Sequence, residues 1–188
     1  MVVYLHGFNS SPHSHKARVL AAYMAKRGFR QHFACPALPP LASDAIREVE
    51  RLLDRHAGDP VCLVGSSLGG FYATYLAEKR GGRAILVNPA IDPHVGLQAY
   101  LGPQKNLHTG EPYELTRLHL QEWAGLYVPA ITPAKYLLIV ETGDEVLDYR
   151  RALARYAGAE QVVVPGGDHS LQSFPAHLPR VLRFAGLA

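Results

Sequence analysis

Val61-Cys62-Leu63-Val64-Gly65-Ser66-Ser67-Leu68-Gly69-Gly70 is the stretch that decides how this chain is read. Four apolar residues in a row suit a strand covered on both faces, as at the centre of a parallel sheet. A G-x-S-x-G run directly after such a strand marks a tight strand-to-helix turn that lifts its serine clear of the sheet. A side chain at either glycine would clash with the reversed chain. Ser67 is the raised residue, and its hydroxyl is a candidate nucleophile. Two other readings compete. The glycines could simply let helix and strand pack closely. Gly65, Ser67 and Gly70 also fall at the spacing of a dinucleotide-binding fingerprint. Against that, Ser67 stands where a pyrophosphate needs a glycine, and Asn88 rather than an acid ends the next strand.

Outward from this turn, short apolar runs alternate with segments of helical period, the pattern of a parallel sheet wrapped by helices. The expected strands are Met1–Leu5, Arg30–Cys35, Val61–Val64, Ala84–Val87, Tyr136–Val140 and Gln161–Val164. Ser11 with Pro12 reads as a helix start, with Ala17, Leu20, Ala21 and Met24 on one face and Gly28 as the stop. Ser43 reads as the cap of a helix that turns Ile46, Val49 and Leu53 inward and ends by Gly58. Helices are also expected from Ser67 to about Lys79, from the Asp148 cap through Tyr156, and over about His177–Phe184. Residues 91–133 separate two strands by far more than a normal crossover. Their aromatics and leucines (Tyr100, Tyr113, Trp123, Leu97, Leu126) suggest a partly helical cap laid over the sheet.

A chain of 188 residues suits a single domain, expected over 1–188 with the 91–133 segment as a cap-like insertion. A net charge of +3, with no run of Lys and Arg, gives no footprint for nucleic acid. The two cysteines, Cys35 and Cys62, each sit in or beside an apolar run and read as small buried hydrophobes, not a disulfide. Met1 leads straight into a strand, with no signal peptide and no apolar stretch long enough for a membrane span, so a cytoplasmic location is expected.

A serine hydroxyl needs a base within hydrogen-bond reach, and that base is usually a histidine oriented by a carboxylate. In one large fold class the chain order is serine, acid, histidine. Glu141-Thr142-Gly143-Asp144-Glu145 follows the fifth strand, and Gly166-Gly167-Asp168-His169 follows the sixth. All these loops leave the carboxyl ends of parallel strands and so open on one edge of the sheet. Asp144 lies nearer the strand end than Glu145 or Asp148, and Asp148 already has a use as a helix cap. Of ten histidines, His169 alone stands in a short glycine loop just past the last strand. The oxyanion that such chemistry develops needs N–H donors. Leu68, at a helix start, offers one, and Phe8 in Leu5-His6-Gly7-Phe8 offers the second. Asp168 reads as a loop residue bonding backbone, and His6 as one that shapes its loop. His13 and His15 could suggest a metal, but no third ligand is obvious.

These strings resemble the α/β-hydrolase superfamily, and within it the small bacterial YqiA-like esterases. The resemblance runs nearly the full length. It rests on Tyr4-Leu5-His6-Gly7-Phe8-Asn9-Ser10-Ser11-Pro12, Leu38-Pro39-Pro40, the Ser67 turn, Val87-Asn88-Pro89-Ala90, Tyr100-Leu101-Gly102 and Thr142 through Tyr149. It implies a compact α/β-hydrolase fold with an open six-stranded parallel sheet in the order 2-1-3-4-5-6, helices on both faces and a small cap. Against larger relatives the chain begins on what would be their third strand. It also implies Ser67 as nucleophile, Asp144 as acid and His169 as base, with no cofactor or metal. The implied substrates are small esters or acyl-CoA thioesters.

The expected activity is therefore a serine esterase or thioesterase working through an acyl-enzyme. An acyltransferase or peptidase on the same triad, or a catalytically silent binding protein, remain alternatives. The residues of 91–133 could line an apolar acyl pocket or merely pack the cap onto the sheet. Lys105, Arg117 and Arg151 could meet an anionic leaving group or be scattered surface charge.

Overall fold

The computed structural model describes residues 1–187; Ala188, the last residue of the expected 1–188 unit, lies outside them. In chain order the strands are β1 (Val2–Leu5), β2 (Phe33–Ala34), β3 (Cys62–Ser66), β4 (Arg83–Val87), β5 (Gly102–Lys105), β6 (Pro112–Leu115), β7 (Tyr136–Glu141) and β8 (Glu160–Val164). The helices are α1 (His15–Lys26), α2 (Ala42–Asp54), α3 (Leu68–Arg80), α4 (Pro93–Gly96), α5 (Arg117–Gly125), α6 (Tyr149–Arg155) and α7 (Phe174–Phe184). Six strands form one parallel sheet in the order β2-β1-β3-β4-β7-β8. With the β5–β6 hairpin set aside, this is the expected order 2-1-3-4-5-6.

Strand period sends alternate side chains to opposite faces. Val3, Leu5, Leu63, Leu86 and Leu138 pack under α2, α3, α5 and α6. Val2, Tyr4, Val64, Ile85 and Ile139 pack under α1 and α7. Both layers are apolar, which is why β1, β3 and β7 read as unbroken hydrophobic runs rather than alternating ones. β3 sits at the centre, with Leu5 opposite Gly65 on one side and Val87 opposite Ser66 on the other. The turn carrying Ser67 therefore opens between the ends of β1 and β4. Cys35 and Cys62 are free thiols; Cys62 is buried, as expected, whereas Cys35, next to the edge strand β2, is only half-buried.

Several element boundaries differ from the sequence expectation. Only Phe33–Ala34 pairs with β1; Arg30–His32 form a 3-10 turn, because exposed polar side chains there give an edge strand nothing to bury. α1 starts at His15, not Pro12. Ser11 instead makes a turn, its hydroxyl accepting from the His13 N–H at 3.1 Å and its carbonyl from Ser14 at 3.0 Å. Ser43 is not a cap but lies inside the first turn of α2. Its N–H (2.9 Å) and hydroxyl (2.8 Å) both donate to the Glu122 carboxylate of α5, which satisfies a first-turn donor from outside the helix. α2 ends at Asp54, with Gly58 beyond it at φ 100°. α7 starts at Phe174, three residues early. Pro175 suits a first helical turn, whereas Pro179 lies inside the helix and leaves the Pro175 carbonyl without its usual i+4 donor.

The 91–133 segment is partly helical, as expected, but it also holds an antiparallel hairpin with Gly102 opposite Leu115 and Lys105 opposite Pro112. Pro103 and Pro112 look like strand breakers in the sequence, yet a two-stranded ribbon has free edges where proline is tolerated. The segment is anchored by Trp123, which is fully buried and donates from Nε1 to the Tyr72 hydroxyl at 2.7 Å.

The tightest approach of backbone to backbone at a glycine lies at the start of α3. A Cβ at Gly69 would stand 2.0 Å from the Leu5 carbonyl oxygen of β1. Gly69→Ala is therefore expected to destabilise the fold by about 3 kcal/mol, the upper range for forced overpacking. Gly96, where an added Cβ meets nothing within 4 Å, is the control; its alanine variant should stay within about 0.5 kcal/mol of wild type in urea denaturation.

Candidate active site

Ser67 occupies the turn between β3 and α3 at φ 54° and ψ −122°. Non-glycine residues avoid this region, and holding one there costs about 1–3 kcal/mol. The surrounding backbone fixes it. The Ser67 N–H donates to Val87 at 3.1 Å, and its carbonyl accepts from Gly70 (2.9 Å) and Ala90 (3.0 Å). A Cβ at Gly65 would lie 2.3 Å from the Gly69 carbonyl, so the turn closes only with glycine there. The G-x-S-x-G glycines thus serve close packing and the raised serine together.

The structure brings Ser67, His169 and Asp144 into one chain of hydrogen bonds. His169 Nε2 lies 3.1 Å from Ser67 Oγ, and His169 Nδ1 lies 2.8 Å from Asp144 Oδ2. The Asp144 side chain is 1% exposed, and its Oδ1 accepts the N–H groups of Val146 (2.9 Å) and Leu147 (2.8 Å). Burial alone would raise the Asp144 carboxyl. The His169 hydrogen bond and the two N–H donors outweigh burial and hold it below the usual carboxylate range. An ionised Asp144 favours the proton on Nδ1, leaving the Nε2 lone pair facing the Ser67 hydroxyl. The neighbouring acids sit elsewhere. Glu145 accepts the His169 backbone N–H at 3.0 Å, and Asp148 caps α6 by accepting from the Arg150 N–H at 3.0 Å.

The loop after β1 passes directly over the serine. A Cβ at Gly7 would lie 3.2 Å from Ser67 Cβ, a tight contact that glycine avoids as the loop passes the serine. Phe8, Ser67, Leu68 and His169 line one cleft of about 320 Å³. Among the described residues, neither the Phe8 nor the Leu68 N–H donates to a protein acceptor. His6 shapes this loop, as expected: Nδ1 donates to the Gly7 carbonyl (3.1 Å) and Nε2 accepts the Leu38 N–H (3.0 Å). Burial keeps its imidazole pKa low, which suits that neutral tautomer. Leu97, Tyr100 and Leu147 give the cleft apolar walls, and Arg151, ion-paired with Asp92, stands at its edge. Lys105 and Arg117 do not line it. Among the described residues, no group of three or more His, Cys, Asp or Glu side chains gathers as a metal site, His13 and His15 included.

Three groups that hold the histidine loop escaped the sequence reading. Glu141, at the end of β7 and 1% exposed, accepts the N–H groups of Asp168 (2.8 Å) and Ser173 (3.0 Å). Asn88, just past the end of β4, has φ 40° and donates to the carbonyls of Asp168 (3.1 Å) and His169 (3.3 Å), while accepting the Glu141 N–H (3.0 Å). Lys16 of α1 donates to the Ser170 carbonyl at 2.8 Å. The available signal was a carboxylate closing the otherwise apolar Tyr136–Val140 run. Asp168 departs from expectation: its side chain accepts from the Gln172 side chain at 2.6 Å rather than from backbone.

Burial would raise the Glu141 carboxyl, but the hydrogen bonds from Ser173 and Asp168 pull it below the ordinary value. Its stabilising contribution is therefore present at neutral pH and lost as pH falls through the depressed folded value. Glu141→Gln, which leaves one buried N–H unmatched, should cost about 1–3 kcal/mol at neutral pH. The gap from wild type should narrow in acid, below the ordinary glutamate value of 4.5. Urea denaturation at neutral and acid pH checks both the size and the direction.

The chain matches the uncharacterised protein family UPF0227 over residues 1–186. It is 23% identical over 195 aligned positions to the UPF0227 protein YcfP of Salmonella arizonae, spanning 100% of this chain and 99% of that protein. Among solved structures it is similar to alpha/beta hydrolase domain-containing protein 10 from mouse, with a TM-score of 0.75 at 18% identity, over 97% of this chain and 87% of that one. It is also similar to a metagenome-derived lipolytic enzyme of the LipS and LipT study, with a TM-score of 0.71 at 18% identity, over 100% and 93%. A third likeness, to Est1E from Butyrivibrio proteoclasticus, has a TM-score of 0.67 at 15% identity, over 98% and 84%. With its six-stranded parallel sheet clad by helices on both faces, this chain has the α/β-hydrolase fold and belongs to the UPF0227 family.

Proposed function

We propose that this chain is a serine hydrolase that cleaves carboxylic esters or thioesters through an acyl-enzyme. The observation that carries the reading is the hydrogen-bonded chain Asp144–His169–Ser67, with its serine on a strained turn at the wall of a cleft. The likeness of the fold to lipolytic and esterase structures supports the same chemistry.

Ser67 Oγ attacks the substrate carbonyl carbon as His169 Nε2 takes its proton. Asp144 holds the imidazole in the Nδ1–H tautomer and stabilises the imidazolium that forms. The negative charge on the carbonyl oxygen is met by the N–H groups of Phe8 and Leu68. Leu68 sits at the first turn of a 13-residue helix, whose dipole favours an anion. Removing one such donor typically costs about 10²–10³ in rate. His169 then protonates the leaving alcohol or thiol. A water that passes its proton to His169 attacks the acyl-enzyme, and collapse of that second tetrahedral intermediate frees Ser67 and the acid. The apolar wall of Leu97, Tyr100 and Leu147 suits the acyl side of a small ester or an acyl-CoA-type thioester.

Ser67→Ala should lower turnover of p-nitrophenyl butyrate by more than about 10³. It should also abolish labelling by a fluorophosphonate while leaving the unfolding midpoint within a few degrees. Turnover near the wild-type rate would refute the nucleophile. Asp144→Asn should lower kcat by about 10⁴, because the tautomer is lost. Asp148→Asn should change it less than about threefold, since asparagine caps a helix as well as aspartate. Steady-state kinetics on the two variants ranks the acids, and the reverse order would move the role to Asp148.

A further inference from the structure

The residues just after Phe8 are gripped by the β5–β6 hairpin rather than by the sheet. Asn9 adopts φ 52°, a left-handed conformation that asparagine tolerates better than most residues but that still needs fixing. Its Oδ1 accepts the Tyr113 hydroxyl at 2.6 Å, and its Nδ2 donates to Gln104 Oε1 at 3.1 Å. Its carbonyl accepts the Leu107 N–H at 2.9 Å. One residue on, the Ser10 carbonyl accepts from Asn106 Nδ2 at 2.9 Å. Burial pushes the Tyr113 phenol up to about 12, so it remains a donor at neutral pH.

The grip continues to the cleft wall. Gln104 Nε2 donates to the Tyr100 carbonyl at 2.7 Å. The Tyr100 ring lies edge-on to Phe8 with centroids 6.3 Å apart, and Trp123 does the same from another side at 6.4 Å. Phe8 is thus clamped through its ring by the 91–133 segment and through its next residue by the hairpin. A two-residue stretch close to Ser67 in the fold shares four hydrogen bonds with one hairpin. Donors for a developing charge are effective only when they are held in place beforehand.

We propose that Asn9 and Tyr113 are positioning residues that aim the Phe8 N–H at the oxyanion, so that the hairpin sets the alignment of the oxyanion hole. This rests on the serine-hydrolase reading above. Because the network ends at Tyr100, an acyl group seated against that ring bears on the same donor.

The test uses Tyr113→Phe, which keeps the ring and removes the hydroxyl, and Asn9→Gly, which keeps positive φ accessible and removes both side-chain bonds. On p-nitrophenyl butyrate, kcat should fall about tenfold and about 10²-fold respectively, the range for a displaced catalytic donor. KM should stay within about twofold, the signature of an interaction made only in the transition state. Affinity for an alkyl boronic acid, which builds a tetrahedral anion on Ser67, should fall in parallel with kcat. A merely structural role would lower the unfolding midpoint without that parallel loss. Wild-type kcat in both variants, or a loss confined to KM with boronate affinity intact, overturns the inference while leaving the hydrolase reading standing. A wild-type protein that neither turns over ester nor takes the fluorophosphonate label overturns both.

Discussion

The contact of α3 with the end of β1 is the constraint on which the rest of the site depends. At Gly69 the helix backbone comes so close to Leu5 that no Cβ fits between them. That approach forces β3 to reverse within one residue, and Ser67 absorbs the reversal in a strained conformation. It also brings the Gly7–Phe8 loop alongside the serine, since the loop continues from the same Leu5. One close backbone contact therefore places Ser67, the candidate nucleophile, and one candidate oxyanion donor together. The strain is held by a sheet whose central strands are buried on both faces.

Topology carries the other loops to this edge, but it does not set where their side chains stop. Parallel strands deliver Asp144 and His169 to the carboxyl end of the sheet. The last few ångströms are set by polar groups under the histidine loop. Glu141 receives two of its N–H groups, and Asn88 ties its carbonyls to the ends of β4 and β7. The loop must be thin enough to lie over that carboxylate, and at Gly167 a Cβ would fall 2.0 Å from Glu141 Oε2. Burying an acid is tolerable here because each of its oxygens receives a backbone donor.

The 91–133 segment is more than a cover. Glu122 of α5 binds the first turn of α2, Trp123 binds Tyr72 of α3, and the hairpin binds Asn9 and Ser10. It thus touches the elements on either side of the serine. These contacts tie a proline-punctuated segment, which has few fully buried side chains of its own, to the rest of the fold.

The sequence by itself determined which segments become strands and helices and put the candidate residues Ser67, Asp144 and His169 on loops past strand ends, while the strand order was implied by the resemblance of its motifs to the α/β-hydrolases. Short unbroken apolar runs bounded by turn residues suit strands covered on both faces, and a G-x-S-x-G after one of them favours a tight strand-to-helix turn. The spacing of Asp144 and His169 past later strands was enough to put them on the same edge. What the sequence left open were the features made by partners distant along the chain. Ser43 looked like a cap because local signals cannot show that Glu122 would arrive to take its donors. Phe33–Ala34 shrank to two paired residues because an edge strand extends only as far as it has something to bury. The β5–β6 hairpin was invisible because Pro103 and Pro112 break a strand by local rules, and only free ribbon edges make them harmless. Glu141 and Asn88 looked like strand-end residues, and their grip on the histidine loop exists only once β4, β7 and that loop meet. Periodicity and turn chemistry are local and legible in order of residues, whereas hydrogen bonds across the fold depend on which surfaces packing has already brought together.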